Sequence, residues 1–340
     1  MRGSFRKSIV WANAMICVLW MSTAMPAGAL EQPVSLTLAT MSVGSAMYTN
    51  ASALANLWTT MLPDGSRIDV TTTSPGGVGA PVILEMGDCD LIFGNAAPAK
   101  WACDSGILEM PPTTRVRSMA GGLDSSFINI LFTQSFVDRT GITSVEEIIE
   151  KKHPVRIAIK ANGAFGELAC AKVLSVLGVD YATIKSWGGS VTQTGADAIV
   201  SLLKDDRADM TIDHIGAGQS ATTELCMTAD MFFPELKEET RKNLNGEGFA
   251  NTVIPANTWS GQTGELQSVG SPQVVLCSAD LDEDLVYALT KAMCEGRDDL
   301  IVVNAGMRYF NPSTAHEALN VGAPLHPGAE KYYREAGYLK

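Results

Sequence analysis

The sequence predicts an α/β fold of two lobes, each a mostly parallel sheet flanked by helices, with a cleft between them. Three observations predict it. One unit keeps recurring: a short apolar strand, a Gly/Ser-rich loop, then an amphipathic helix, the pattern of parallel α/β sheets. The units gather in two blocks centred near residues 70 and 185. A polar, Gly-rich stretch, Asn243–Ser271, follows the second block, and strand character then resumes.

Val34–Ala39, rich in Val, Leu and Thr, reads as the first strand. Ser42 to Ala46 is its loop. Tyr48 to Met61 follows as a helix with Ala51, Leu54, Ala55, Leu57 and Trp58 on one face. Arg67–Thr72 is a strand, Ser74-Pro75-Gly76-Gly77 a loop, and Gly79–Met86 a helix stopped by Gly87. Cys89–Phe93 is a buried strand that Gly94-Asn95 ends, and Phe127–Phe132 is an apolar strand between the blocks. In the second block Val155–Ile159 is a strand, Ala161–Gly166 a loop, and Glu167–Leu177 a helix closed by Gly178. Trp187-Gly188-Gly189-Ser190 leads into a helix from about Gly195 to Lys204, and Ala208–Ile212 is a strand. Val274–Cys277 is a strand and Asp282–Cys294 a helix. The expected division is residues 30–131 for the first part of lobe 1, 132–272 for lobe 2 and 273–340 for the completion of lobe 1. The chain then crosses between lobes near residues 131 and 272.

The first 29 residues stand apart. Arg2, Arg6 and Lys7 precede an uncharged apolar stretch from Ser8 to about Ala24, and Ala27 and Ala29 form an A-x-A site. This reads as a cleaved secretory signal peptide, which puts the mature chain outside the cytoplasm. No later stretch approaches the ~18 uninterrupted apolar residues of a membrane span, so the mature chain reads as soluble. Among the 340 residues, 46% are hydrophobic and 18% charged, which excludes a disordered chain. The formal net charge is −12. Removing residues 1–29 takes away three bases and no acid, leaving 22 basic against 37 acidic residues, net −15. Such a balance argues against nucleic acid and anionic lipid as partners.

In an open parallel sheet, ligands sit beyond the carboxyl ends of the strands, where helix first turns present unpaired N–H groups. Four Gly-rich loops qualify: Gly44–Ala46, Ser74–Gly77, Gly163–Gly166 and Gly188–Thr192. If the lobes face each other, all four converge on one cleft suited to an anion, most simply a carboxylate. The candidate ligand-binding residues are Gly44, Ser45, Tyr48, Gly77 and Asn95 from lobe 1. From lobe 2 they are Gly163, Ala164, Phe165, Thr192 and His214. Lys160, at a strand end, is a candidate partner for a carboxylate.

Competing chemistry is thinner. Gly216-Ala217-Gly218-Gln219-Ser220-Ala221 has the form of a dinucleotide fingerprint, but it comes late in the chain and nicotinamide cofactors are scarce outside the cytoplasm. No G-x-S-x-G elbow and no H-E-x-x-H occurs. Asp209 and Asp213 share a strand face without a visible nucleophile. The six cysteines after residue 29 form no C-x-x-C and flank no His at zinc spacing. Cys89 with Cys103 is the pairing favoured if any disulfide forms; buried free thiols are the alternative. No catalytic residue, metal or cofactor is expected.

Three stretches carry a family resemblance. The carboxyl end reads Pro324-Leu325-His326-Pro327-Gly328-Ala329, then Tyr332-Tyr333-Arg334-Glu335 and Gly337. Leu285 to Lys291 reads L-V-Y-A-L-T-K, and Ile254 to Gln262 reads I-P-A-N-T-W-S-G-Q. The chain resembles, over about residues 34–338, the TAXI subfamily of TRAP transporter solute receptors. The resemblance implies a type II-like periplasmic binding protein. It would act as a monomer, close on a small organic anion such as glutamate or a dicarboxylate, and deliver it to integral-membrane TRAP transporter subunits. Departures fall in the loops: Gly44-Ser45-Ala46-Met47-Tyr48 stands where the family has G-G-x-Y-Y, and Gly163-Ala164-Phe165-Gly166 where it has G-S-G-T. The receptor of an ATP-driven importer, a ligand sensor and a periplasmic enzyme are the alternative readings.

Overall fold

The computed structural model describes residues 32–72 and 76–340. The expected signal peptide, and Ser74 and Pro75 of the second loop, lie outside the described residues. The chain opens with β1 (Ser35–Thr40), α1 (Ala46–Met61), β2 (Arg67–Thr72), α2 (Ala80–Met86), β3 (Leu91–Asn95), α3 (Ala96–Asp104) and β4 (Val116–Gly121). It continues with β5 (Phe127–Thr133), α4 (Gln134–Thr140), α5 (Val145–Glu150), β6 (Arg156–Lys160), α6 (Phe165–Val176), α7 (Tyr181–Ser186) and β7 (Ser190–Thr194). Then come α8 (Ala196–Lys204), β8 (Met210–Ile215), α9 (Ser220–Thr228), β9 (Met231–Phe232), α10 (Glu238–Gly246), β10 (Ala250–Ile254) and β11 (Leu266–Gly270). The close is β12 (Gln273–Ser278), α11 (Glu283–Glu295), α12 (Arg297–Val303), α13 (Ala318–Val321) and α14 (Pro327–Glu335). Gly76–Val78 and Ala305–Tyr309 are 3-10 turns.

Two five-stranded sheets result, ordered β2-β1-β3-β12-β4 and β7-β6-β8-β5-β9, and β10 and β11 form an antiparallel pair. This is the two-lobe α/β architecture the strand–helix alternation predicts. Each sheet is mixed in one respect: β12 runs antiparallel to β3 and β4, and β5 antiparallel to β8 and β9. These two are the strands entered directly from a passage between the lobes. Because β5 pairs within the second sheet, the first passage spans residues 122–126 rather than the neighbourhood of residue 131. An apolar strand shows no lobe membership in its own composition, which is why the division at 131 fell late.

Each lobe has its own core. Trp58, Phe93 and Tyr333 are fully buried in the first, and Phe132, Phe136 and Phe249 in the second. Trp58 lies on the apolar face of α1 foreseen from the sequence, and its indole Nε1–H donates to the Leu289 carbonyl of α11 at 2.9 Å. The carboxyl-terminal motif is structural. His326 caps α14 by accepting the Gly328 N–H on Nδ1 at 3.2 Å, and the Tyr333 hydroxyl donates to the Met119 carbonyl of β4 at 3.0 Å. Gly328 packs so closely on α11 that a Cβ there would lie 2.7 Å from the Tyr287 nitrogen.

Several elements escaped the sequence pattern: α3, α7, β7 and the β10–β11 pair. Asn95 was expected to end a strand; it also starts α3. All six cysteines of the described chain are free thiols, so the pairing of Cys89 with Cys103 is not present. Cys89 is buried in the apolar cluster under α2, and the Cys103 Sγ lies 3.5 Å from the Thr113 hydroxyl.

Candidate functional site

A cavity of about 360 Å³ lies between the lobes. It is the right size for a small solute. The first lobe contributes the start of α1 (Ser45, Ala46, Met47), the turn at Gly77-Val78, and Asn95. The second contributes the start of α6 (Ala164, Phe165) and the end of β8 (His214, Ile215, Gly216). The passages between lobes supply Asp124, Ser126 and Gln273.

The helix starts differ in how they are capped. The Ser45 Oγ accepts the Tyr48 N–H at 3.1 Å and so closes one donor of α1. Ala164 caps α6 without a side-chain hydrogen bond, which leaves first-turn N–H groups beside the cavity unpaired within the helix. Glu167 folds back to accept the Gly163 N–H on Oε2 at 3.2 Å and the Tyr181 hydroxyl on Oε1 at 3.0 Å. It fixes the loop without filling the helix mouth.

His214 links the cavity to the second passage. The Ser271 N–H donates to His214 Nε2 at 2.9 Å, so the neutral ring carries its proton on Nδ1. The Phe165 ring lies over it at 4.2 Å. Ser271 also reaches the first lobe: its hydroxyl accepts the Ala97 N–H at 2.8 Å and its carbonyl accepts Asn95 Nδ2–H at 3.2 Å. The opposite passage is held by Asp124, which accepts the Gln273 N–H at 2.7 Å, Gln273 Nε2–H at 3.1 Å and the Ser126 hydroxyl. Burial pushes the Asp124 carboxyl up against these donors.

Burial also drives the His214 imidazole down, to about 3. As pH falls from about 6.5 toward 3, the unfolded state takes up a proton at this residue that the folded state refuses, so its contribution to stability is full at neutral pH and lost in acid. The His214→Gln variant is expected to lose about 2 kcal/mol less stability than the parent between pH 7 and pH 5, by chemical denaturation at both pH values. Identical acid-side losses would take His214 out of that balance.

Of the ten sequence candidates, Ser45, Gly77, Asn95, Ala164, Phe165 and His214 line this cavity. Gly44 and Gly163 hold positive φ in the adjoining loops, at +87° and +79°, and Tyr48 sits half-buried behind Ser45. Thr192 is not at the cavity. It is exposed in the middle of the edge strand β7, and the Gly188-Gly189 turn enters the amino end of that strand, the side away from the cleft. The expected convergence of four loops is therefore three, and the loop after β8, at Gly216, takes the fourth place. Lys160 pairs with Asp213 at 3.4 Å and lines a separate void of about 20 Å³, room for one water. Asp209 is bound by Arg139 and Arg156, at 2.8 and 2.7 Å, so it anchors lobe 2 rather than forming an acid pair with Asp213. Among the described residues no cluster of His, Cys, Asp and Glu could hold a metal ion.

Residues the sequence reading missed include Met41, Met47, Val78, Asp124, Ile215 and Gln273. Only Gly216 carried a signal, as the first glycine of the G-x-G-x-x-A run. Gly77 has a spatial reason: a Cβ there would meet the Asn95 amide oxygen and come within 3.1 Å of Met47 Cε. Gly77→Ala is expected to weaken solute binding about tenfold or more, because overpacking of ~1–3 kcal/mol falls on the cavity wall. Calorimetric titration of a bound solute checks this, and unchanged affinity would remove that wall from the site.

Among solved structures, the chain is similar to a TctC solute binding protein from Polaromonas, with TM-score 0.52 and 13% identity over 84% of this chain and 91% of that one. It is less closely similar to the periplasmic binding protein BugD, with TM-score 0.44 and 14% identity over 91% of this chain and 99% of that one. The putative periplasmic sulfonate-binding protein of Methylobacillus flagellatus gives TM-score 0.45 and 10% identity over 90% of this chain and 88% of that one. At 13% identity the likeness to the Polaromonas protein is one of fold. In sequence, residues 38–337 match the model of the NMT1-like family, and the chain belongs to that family.

Proposed function

We propose that the protein is an extracytoplasmic solute receptor. Its two lobes close by hinge motion at the two passages around a small organic anion, and the closed form hands the solute to a membrane transporter. The observation that carries this reading is the cavity of about 360 Å³ whose walls come from both lobes and whose floor is the two passages. A ligand there touches both lobes at once and so favours the closed arrangement over the open one. The family match and the two-lobe fold of the Polaromonas neighbour support the reading. The three stretches quoted above support a TRAP-type transporter of the TAXI kind as the partner. The Ser126 hydroxyl and the Asp124 carboxylate meet at the cavity, and the reading assigns that pair to holding the first passage, with no catalysis.

Thermal unfolding of the chain from residue 30 onward, against a panel of organic acids, amino acids, sulfonates, amines and sugars, tests it. A solute at ~1,000 times its dissociation constant adds roughly 4 kcal/mol of stability. A sharp upward shift with one class, and no product formed, is the expected result. A compound that is turned over would replace the receptor reading with an enzymatic one.

A further inference from the structure

The cavity is unevenly charged. The inner space is lined by the apolar Met41, Met47, Val78, Phe165 and Ile215 and by uncharged polar side chains such as Asn95, His214 and Gln273, and the one charged side chain lining it is Asp124. Lys160 is turned away into its pair with Asp213. A contiguous outer space of about 270 Å³ shares Ala46, Asp124, Gly216 and Gln273 with the inner one. Into it comes Arg308, from the 3-10 turn Ala305–Tyr309. The Asn304 amide, donating to Asn50 Oδ1 of α1 at 2.5 Å, holds that turn against the first lobe. The Arg308 guanidinium lies over the Tyr309 ring at 4.7 Å and donates to its hydroxyl at 2.8 Å. Among the described residues no carboxylate pairs with it.

We infer that the solute is an amphipathic monoanion: its apolar body fills the inner space against Phe165 and Met47, and its single acidic group meets Arg308 in the outer one. This rests on the receptor reading above and narrows it. A second acidic group, as in a dicarboxylate, would lie in the inner space with no cationic side chain to meet it and with Asp124 nearby. Transfer of an unpaired carboxylate into such surroundings is strongly unfavourable. The planar guanidinium can grip one carboxylate or sulfonate with two parallel hydrogen bonds, and the tyrosine ring beneath pre-orients it.

The test is calorimetric titration of the wild-type chain with hexanoate and phenylacetate, with the diacids glutarate and glutamate, and with hexanamide. It is repeated on Arg308→Gln, Arg308→Lys and Phe165→Trp. The expected result is binding of a monoacid in preference to both diacids. Arg308→Gln should weaken it about tenfold or more, Arg308→Lys should recover part of that loss, and Phe165→Trp should weaken binding by narrowing the inner space. Diacids binding as well as monoacids, or a monoacid affinity untouched by Arg308→Gln, would overturn the inference while leaving the receptor reading in place. The absence of binding by every acid would also overturn it; amines and sugars titrated on the same samples then decide whether the receptor reading falls too. A monoacid that binds Phe165→Trp as tightly as wild type would overturn the inference, because its apolar body would not lie against Phe165, and would leave the receptor reading in place.

Discussion

Replacing Gly270 by alanine is expected to cost roughly 3 kcal/mol or more, or to prevent folding altogether. Gly270 ends β11 just before the second passage. A Cβ built there overlaps the Ser126 carbonyl oxygen and lies 2.8 Å from its carbon and 3.0 Å from Phe127 Cα. All three are backbone atoms, of the end of the first passage and the start of β5, so no side chain can swing aside. Relief requires the two passages to separate, which breaks the pairing that brings Ser271 to His214 and Gln273 to Asp124. Strain of this kind is among the few routes by which a single substitution has a large effect. Urea unfolding of Gly270→Ala beside wild type measures it. A loss under about 0.5 kcal/mol, the range of an ordinary surface change, would mean that the passages are not held in contact.

Trp58→Ala is expected to destabilise by about 3–5 kcal/mol, the usual cost of deleting a large aromatic side chain from a core. The side chain is fully buried, and its loss also removes the indole hydrogen bond to the Leu289 carbonyl. Because that hydrogen bond joins α1 to α11, the damage falls on the contact between the early and late segments of the first lobe. Trp58 is remote from the residues that line the cavity, so solute affinity per folded molecule should change little. Denaturant titration together with calorimetric binding separates the two quantities. A large loss of affinity with little loss of stability would reverse the assignment of Trp58 from core to site.

The sequence revealed most of what lies within one strand–loop–helix unit. Ser45, Ala164 and Phe165 were identified because each follows a strand directly, and the start of a following helix is fixed by local chemistry. Thr192 was misplaced for a complementary reason. Without β7 in view, the Gly188-Gly189 turn looked like a loop leaving a strand, whereas it leads into one, and only strand direction tells the two ends of a sheet apart. Asp124 and Gln273 carry no local pattern. They meet the cavity because β12 inserts between β3 and β4, a pairing of residues more than 150 positions apart. Arg308 depends on a hydrogen bond between Asn304 and Asn50, across 254 positions. Contacts of that range follow from the whole fold.

The position of β12 also orders the birth of the molecule. The second sheet is drawn from one unbroken run of chain, β5 to β9, and every strand it needs has been made by residue 232. The first sheet at that moment is in two pieces, β2-β1-β3 on one side and β4 on the other, because the strand that joins them begins only at Gln273. A growing chain therefore finishes its second half first, and its amino-terminal half waits with an open seam. Closing that seam is a distant pairing, slow by the usual relation of speed to sequence separation. A chain ended before residue 273 would carry every strand of the second sheet and a first sheet still in two pieces.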